Sequence, residues 1–199
     1  MGITVLVVMI AIVTTSKGKK QMNKLYIVRH GQTDWNKKML YQGSVDIELN
    51  DKGKSQANEL KNNLDISTID FCVCSPLKRA KQTAKIITDD KIPIIYDNLL
   101  VERNYGDYEG KPVEFDLIKE HWDCNLNSTK GNVESVKDCL KRARDFLNKI
   151  KENYDYENIL IVSHGSFIKC LHFNLIGYDE QTDFLSFKPE NAKIYEYKL

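Results

Sequence analysis

Two apolar runs in this chain break directly into the dipeptide His-Gly. Leu25-Tyr26-Ile27-Val28 passes through Arg29 into His30-Gly31, and Ile159-Leu160-Ile161-Val162 passes through Ser163 into His164-Gly165. Short, partly β-branched runs ending at glycine read as buried strands. After each one the glycine frees the backbone, and helix-start chemistry follows: Thr33, Asp34 and Asn36 after the first, Ser166 onward after the second. Phe71-Cys72-Val73-Cys74 is a third strand, followed by SPLKRAKQTAKII, a Pro-started helical segment with Arg79 in its first turns. One Arg-His-Gly tripeptide alone would be an ordinary exposed turn. Three strand-to-helix junctions with Arg29, His30, Arg79 and His164 at the strand ends point to chemistry, because open α/β sheets bind ligands past the carboxyl ends of their strands.

The rest of the chain fits the same alternation. Asn50 or Asp51 caps a helix whose Ala57, Leu60 and Leu64 recur at helical spacing, and Ile92–Tyr96, containing Pro93, reads as a strand near the sheet edge. Glu134–Asn153 is the clearest helix, with Val136, Leu140, Ala143, Leu147 and Ile150 at steps of four and three. Phe184–Phe187 and Ile194–Tyr197 alternate and read as two final strands. Ahead of the Glu134–Asn153 helix, 111–132 forms a short helix around Val113, Leu117, Ile118, His121 and Trp122 and then a polar loop, so roughly 105–132 is a lid over the sheet. His121 suits packing as well as substrate contact. The expected fold is α/β: a three-layer α/β/α sandwich on a mixed, mostly parallel sheet.

Composition narrows the partners. The net charge of +1 is more than accounted for by Lys17, Lys19 and Lys20, so residues 22–199 are slightly acidic and bulk charge does not suit nucleic acid. Five cysteines at 72, 74, 124, 139 and 170 form no disulfide framework and read as packed, reduced thiols of a cytoplasmic protein. Residues 1–21 are an apolar stretch followed by lysines. That stretch is shorter than the roughly 20 residues a membrane span needs, and it lacks a basic segment before the apolar run. They are expected to be an extension or upstream start, with the functional domain at 22–199.

RHGQTDWN, YQG with the following LNDKG and QA, SPLKRAKQTA, VERNYGDYEG and IVSHG occur in order. Together they resemble the histidine phosphatase superfamily, the phosphoglycerate-mutase-like group with an Arg-His-Gly motif and a phosphohistidine intermediate. The resemblance covers the chain from Met22 onward, and Gln32, where the family commonly has Glu, is a mild departure. It implies His30 as nucleophile and Glu102 as the proton-donating carboxylate. Arg29, Arg79, His164 and Asn36 would hold the phosphate, and Gly165, Gln42, Gly43 and Arg103 complete the expected substrate-binding set.

Those residue types suit the chemistry. A neutral imidazole offers a lone pair near neutral pH, and guanidinium forks match phosphate oxygens. His164 can donate to a further oxygen, and the positive groups take the place of a metal, so no metal or cofactor is expected. The expected activity is hydrolysis of a small phosphorylated metabolite by a monomer or homodimer, with a membrane role unlikely. Cofactor-dependent phosphoglycerate mutase is the runner-up, since Glu102-Arg103 before Tyr105-Gly106 is similar to the mutase loop. Against it, the lid is short and carries only scattered Lys111, Lys119 and Lys130, where mutases usually have more arginines. A non-catalytic phosphate-binding domain is the third reading.

Overall fold

The computed structural model describes residues 24–153 and 157–198, so the expectations for residues 1–21 lie outside the described residues. Five strands, β1 (Lys24–Arg29), β2 (Phe71–Cys74), β3 (Ile94–Tyr96), β4 (Asn158–Ser163) and β5 (Ile194–Lys198), form one sheet in the order β3-β2-β4-β1-β5. β5 runs antiparallel to β1, and the other pairings are parallel. The strand containing Pro93's neighbours takes the edge. Its Pro93 carbonyl accepts from Cys72 while the missing N–H is not required.

Alternation along the strands sends side chains to opposite faces. Leu25, Ile27, Phe71, Val73, Ile159 and Ile161 pack with α5 (Val136–Asn153) and α6 (Gly165–Ile176). Tyr26, Val28, Cys72, Cys74, Leu160 and Val162 pack on the other side, against Ala80, Ala84 and Ile87 of α3 (Lys78–Thr88), with Leu60 of α2 (Asp51–Asn63) adjoining. This is the expected three-layer sandwich. Every apolar position expected to face the core on α5 is buried, and Cys139 and Phe146 join them.

The pairing register makes the site. Arg29 pairs with Ser163 and Cys74 with Val162, so the two His-Gly junctions leave adjacent strands at the same level, with Ser75 beside them. The His30 N–H donates to the Ser163 carbonyl at 2.9 Å, which extends the ladder one residue past β1. Thr33 caps α1 (Asp34–Lys37) through a reciprocal box with Asn36, and Asn50 caps α2 through its bond from the Gly53 N–H at 2.9 Å.

One expected strand is absent. Phe184–Phe187 is turned rather than extended, because the Asp183 carboxylate accepts from the Leu185 N–H at 2.8 Å and its carbonyl accepts from the Ser186 N–H at 3.1 Å. Phe184 is buried against Phe173 and Trp122 instead of pairing in the sheet. The lid helix is present as α4 (Phe115–Trp122).

Gly31 and Gly53 bring the β1–α1 junction and α2 into backbone contact: a Cβ on Gly53 would lie 2.1 Å from the Gln32 carbonyl oxygen, and one on Gly31 2.4 Å from that of Gly53. Glycine inside a helix normally costs about 1 kcal/mol relative to alanine, but here the overlap is with backbone that cannot rotate away. Gly53→Ala is therefore expected to destabilise the fold, by roughly 1–3 kcal/mol in urea unfolding. A rise in the unfolding midpoint would show that the contact is not limiting.

Candidate active site

His30 is 1% exposed, at the carboxyl end of β1. Its Nδ1 lies 2.7 Å from the Gly31 carbonyl oxygen, which can only accept, so Nδ1 carries the proton and Nε2 keeps a lone pair with no partner among the described residues. Burial pushes this imidazole well below the ordinary 6.5, and the guanidinium groups of Arg79 and Arg29 push it further in the same direction. His164 lies alongside, with ring centroids 5.1 Å apart. Burial, then Arg79, His30 and Arg29, hold it down likewise.

His164 differs from expectation in what its nitrogens do. The Arg79 Nε–H donates to His164 Nδ1 at 3.1 Å, so the neutral ring carries its proton on Nε2, which donates to Ser75 Oγ at 2.7 Å. The N–H expected for a phosphate oxygen meets Ser75 Oγ here, and the other ring nitrogen holds the Arg79 Nε–H. Arg79 is fully buried, and its two terminal nitrogens donate to the carbonyls of Val45 and Gly43, each at 2.7 Å. Burial lowers it to about 10, so it stays charged at neutral pH.

Arg29 donates through Nη1 to the Pro189 carbonyl at 2.8 Å, while its Nε is buried without a partner. Its guanidinium lies against Gly165, where a Cβ would come within 3.2 Å. Asn36 and Gln42 are tied by their oxygens to the Thr33 hydroxyl, at 3.2 and 3.1 Å, and among the described residues their amide nitrogens make no hydrogen bond. Gly43 adopts φ +49°, which keeps its carbonyl on Arg79.

Glu102 is 8% exposed at the start of α6. One oxygen accepts from the N–H groups of Arg103 at 2.8 Å and Phe167 at 3.0 Å, the other from Ser166 at 3.1 Å. His164, the residue preceding α6, makes no side-chain cap, so a carboxylate from a distant loop caps this helix.

A cavity of about 230 Å³ opens over this cluster. Arg29, Asn36, Gln42, Gly43, Glu102 and Gly165 line it, as expected of phosphate or substrate ligands. His30, Arg79 and His164 are buried behind those residues, among them Gly43, whose carbonyl Arg79 holds. Arg103 is the exception. It is fully buried, donates to the carbonyls of Glu134 and His121 at 2.8 Å each, and stacks 4.8 Å over Trp122. His121 is buried edge-on against Tyr108 and does not line the cavity, so it packs rather than binds.

The sequence reading missed Lys169 and Lys188, which also line the cavity, and Asn191, whose amide donates to the His30 carbonyl at 2.8 Å. Lys169 had one usable signal, its position four residues after Gly165 on the same helical face. The 188–191 turn had none, because its contacts span some 160 positions.

Residues 25–199 match the model of the histidine phosphatase superfamily (branch 1). The chain is 37% identical to the phosphatase PhoE of Bacillus subtilis over 80% of this chain and 81% of that protein. It is 36% identical to a 2,3-bisphosphoglycerate-dependent phosphoglycerate mutase of Cytophaga hutchinsonii, over 76% of each. A phosphoserine phosphatase variant from Entamoeba histolytica, solved with phosphoserine, superposes with a TM-score of 0.73 at 31% identity, covering 88% of this chain and 90% of that one.

Two imidazoles buried in the neutral form make stability depend on pH. Their folded-state pKa values lie below the unfolded 6.5, so the unfolded chain binds more protons as pH falls, and stability present above about 6.5 is lost below it. Thermal melts should therefore show Tm falling between pH 7 and 5. A flat Tm over that range would mean that neither ring is buried in its neutral form.

Proposed function

The chain belongs to the histidine phosphatase superfamily, and on that premise we propose that it hydrolyses a small phosphomonoester without a metal, through a phosphohistidine on His30. The observation that carries this reading is the bond from His30 Nδ1–H to the Gly31 carbonyl, which leaves the Nε2 lone pair free beside two guanidinium groups. In the first step that lone pair attacks phosphorus and the bond to the ester oxygen breaks. Arg29 and Arg79 hold the spectator oxygens, joined by the unpartnered Arg29 Nε–H and the amide groups of Asn36 and Gln42. Glu102 gives a proton to the departing oxygen. In the second step the Glu102 carboxylate takes a proton from water, the water oxygen attacks phosphorus, and the P–N bond breaks to return its electrons to Nε2.

His164 acts through Arg79, keeping its fork aimed, rather than as a phosphate donor. Residues 105–132 serve as the lid, with Leu40, Val113, Ile118 and Trp122 giving the cavity an apolar wall. The mutase reading has support from the mutase relative. The inward turn of Arg103 weighs against it, because the loop most like a mutase's offers no guanidinium to the cavity. Phosphate release measured against 3- to 2-phosphoglycerate conversion separates the two, and predominant conversion would overturn the phosphatase reading.

His30→Ala is expected to abolish acid-labile phosphate labelling of the protein, and labelling that persists would move the nucleophile elsewhere. Glu102→Gln should slow the labelling of His30 by alkyl phosphates by about 10²–10⁴-fold while sparing labelling by nitrophenyl phosphate, whose leaving group needs no proton, and should slow loss of the label with both. Equal losses in the labelling step would remove Glu102 from the acid role. Activity should be unchanged in excess chelator.

A further inference from the structure

Lys169 stands out among the charged groups near the cavity. It is 7% exposed, lines the cavity wall, and among the described residues makes neither a hydrogen bond nor an ion pair. Its ammonium lies 4.3 Å over the Trp122 ring, an apolar support that does not neutralise it. Burying an ammonium without an anion is costly, and such groups are held in proteins by a partner or by a role. Lys188 reaches the same cavity from the opposite chain segment. Its side chain is exposed, and the next residue, Pro189, holds Arg29 through its carbonyl.

The placement along α6 suits two anions in one molecule. Gly165 lies against the Arg29 guanidinium, and Lys169 follows four residues later on the same face of α6, about one 5.4 Å turn away. At about 230 Å³ the cavity is below the roughly 300–1,000 Å³ of drug-sized sites, so both anions must sit only a few bonds apart.

We propose that Lys169, assisted by Lys188, binds a second anionic group, a carboxylate, so that the preferred substrate is a small phosphorylated carboxylic acid. This inference rests on the phosphatase reading of the same site. The second charge is read from α6 and the 188–189 segment rather than from the lid, which explains how a lid with few basic residues can serve an acidic substrate. Burial lowers the Lys169 pKa to about 8. Around it, Cys170, Asp183 and Glu102 favour the ammonium and Arg103 opposes it. The ammonium is therefore present below about pH 8 and lost above it.

The test compares 3-phosphoglycerate with sn-glycerol 3-phosphate, which differ by a carboxylate against a hydroxymethyl group, using the full chain, Lys169→Met and Lys169→Arg. The wild type should favour the acid at least about tenfold in kcat/KM. Lys169→Met keeps the packing on Trp122 and should raise KM for the acid roughly 10- to 100-fold with kcat little changed, while glycerol phosphate moves less than about threefold. Lys169→Arg should recover part of the loss. In the wild type, KM for the acid alone should rise as pH passes about 8, a readout that needs no variant to fold. Equal turnover of the two compounds by the wild type, or equal slowing of both in Lys169→Met, would overturn the proposal and leave the phosphatase reading standing. If neither compound is turned over and His30 takes up no label, the phosphatase reading fails. Calorimetric binding of the same pair then decides the subsite: tighter binding of the acid that Lys169→Met abolishes supports it, and equal affinities refute it.

Discussion

The pairing of β1 with β4 is the constraint from which the site follows. Parallel strands in register from Lys24 with Asn158 to Arg29 with Ser163 must release their chains at the same height, so two histidines 134 positions apart emerge as neighbours. A slip of one residue would send the side chains of β1 to the opposite apolar layers and put the two His-Gly junctions out of level. The apolar layers on both sides of the sheet therefore hold the catalytic geometry as firmly as they hold the fold. Positioning and stability come from the same burial.

That burial has an electrostatic consequence. His30 and His164 sit among Arg29 and Arg79, out of water, and the surroundings disfavour a proton on either ring. Each guanidinium is offset by neutral acceptors, the carbonyls of Val45, Gly43 and Pro189. The basic cluster is thus kept charged without a paired carboxylate that would repel phosphate. Glu102, the acid nearest to it, is instead anchored on the first N–H groups of α6.

Much of this was legible in the sequence. The strands β1, β2 and β4, the spacing along α5 and the Asn50 cap all carry local patterns, and local patterns survive folding when packing agrees with them. Phe184–Phe187 has the alternation of a strand, yet Asp183 closes a turn there, since one carboxylate outweighs a pattern four residues long. Arg103 reads as a ligand because the loop that carries it resembles the family's. Its stacking on Trp122 and its bonds to two carbonyls depend on lid residues whose positions no local spacing reveals. The same applies to Lys188, Pro189 and Asn191, which reach the first histidine junction from the far end of the chain.

That last contact orders events during synthesis. The Arg29–His30 corner is made some 160 residues before Pro189 and Asn191, which brace the guanidinium and the backbone of that corner. A nascent chain can assemble most of its sheet and still lack a finished anion cradle, so the site is completed only once residues 189–191 have emerged.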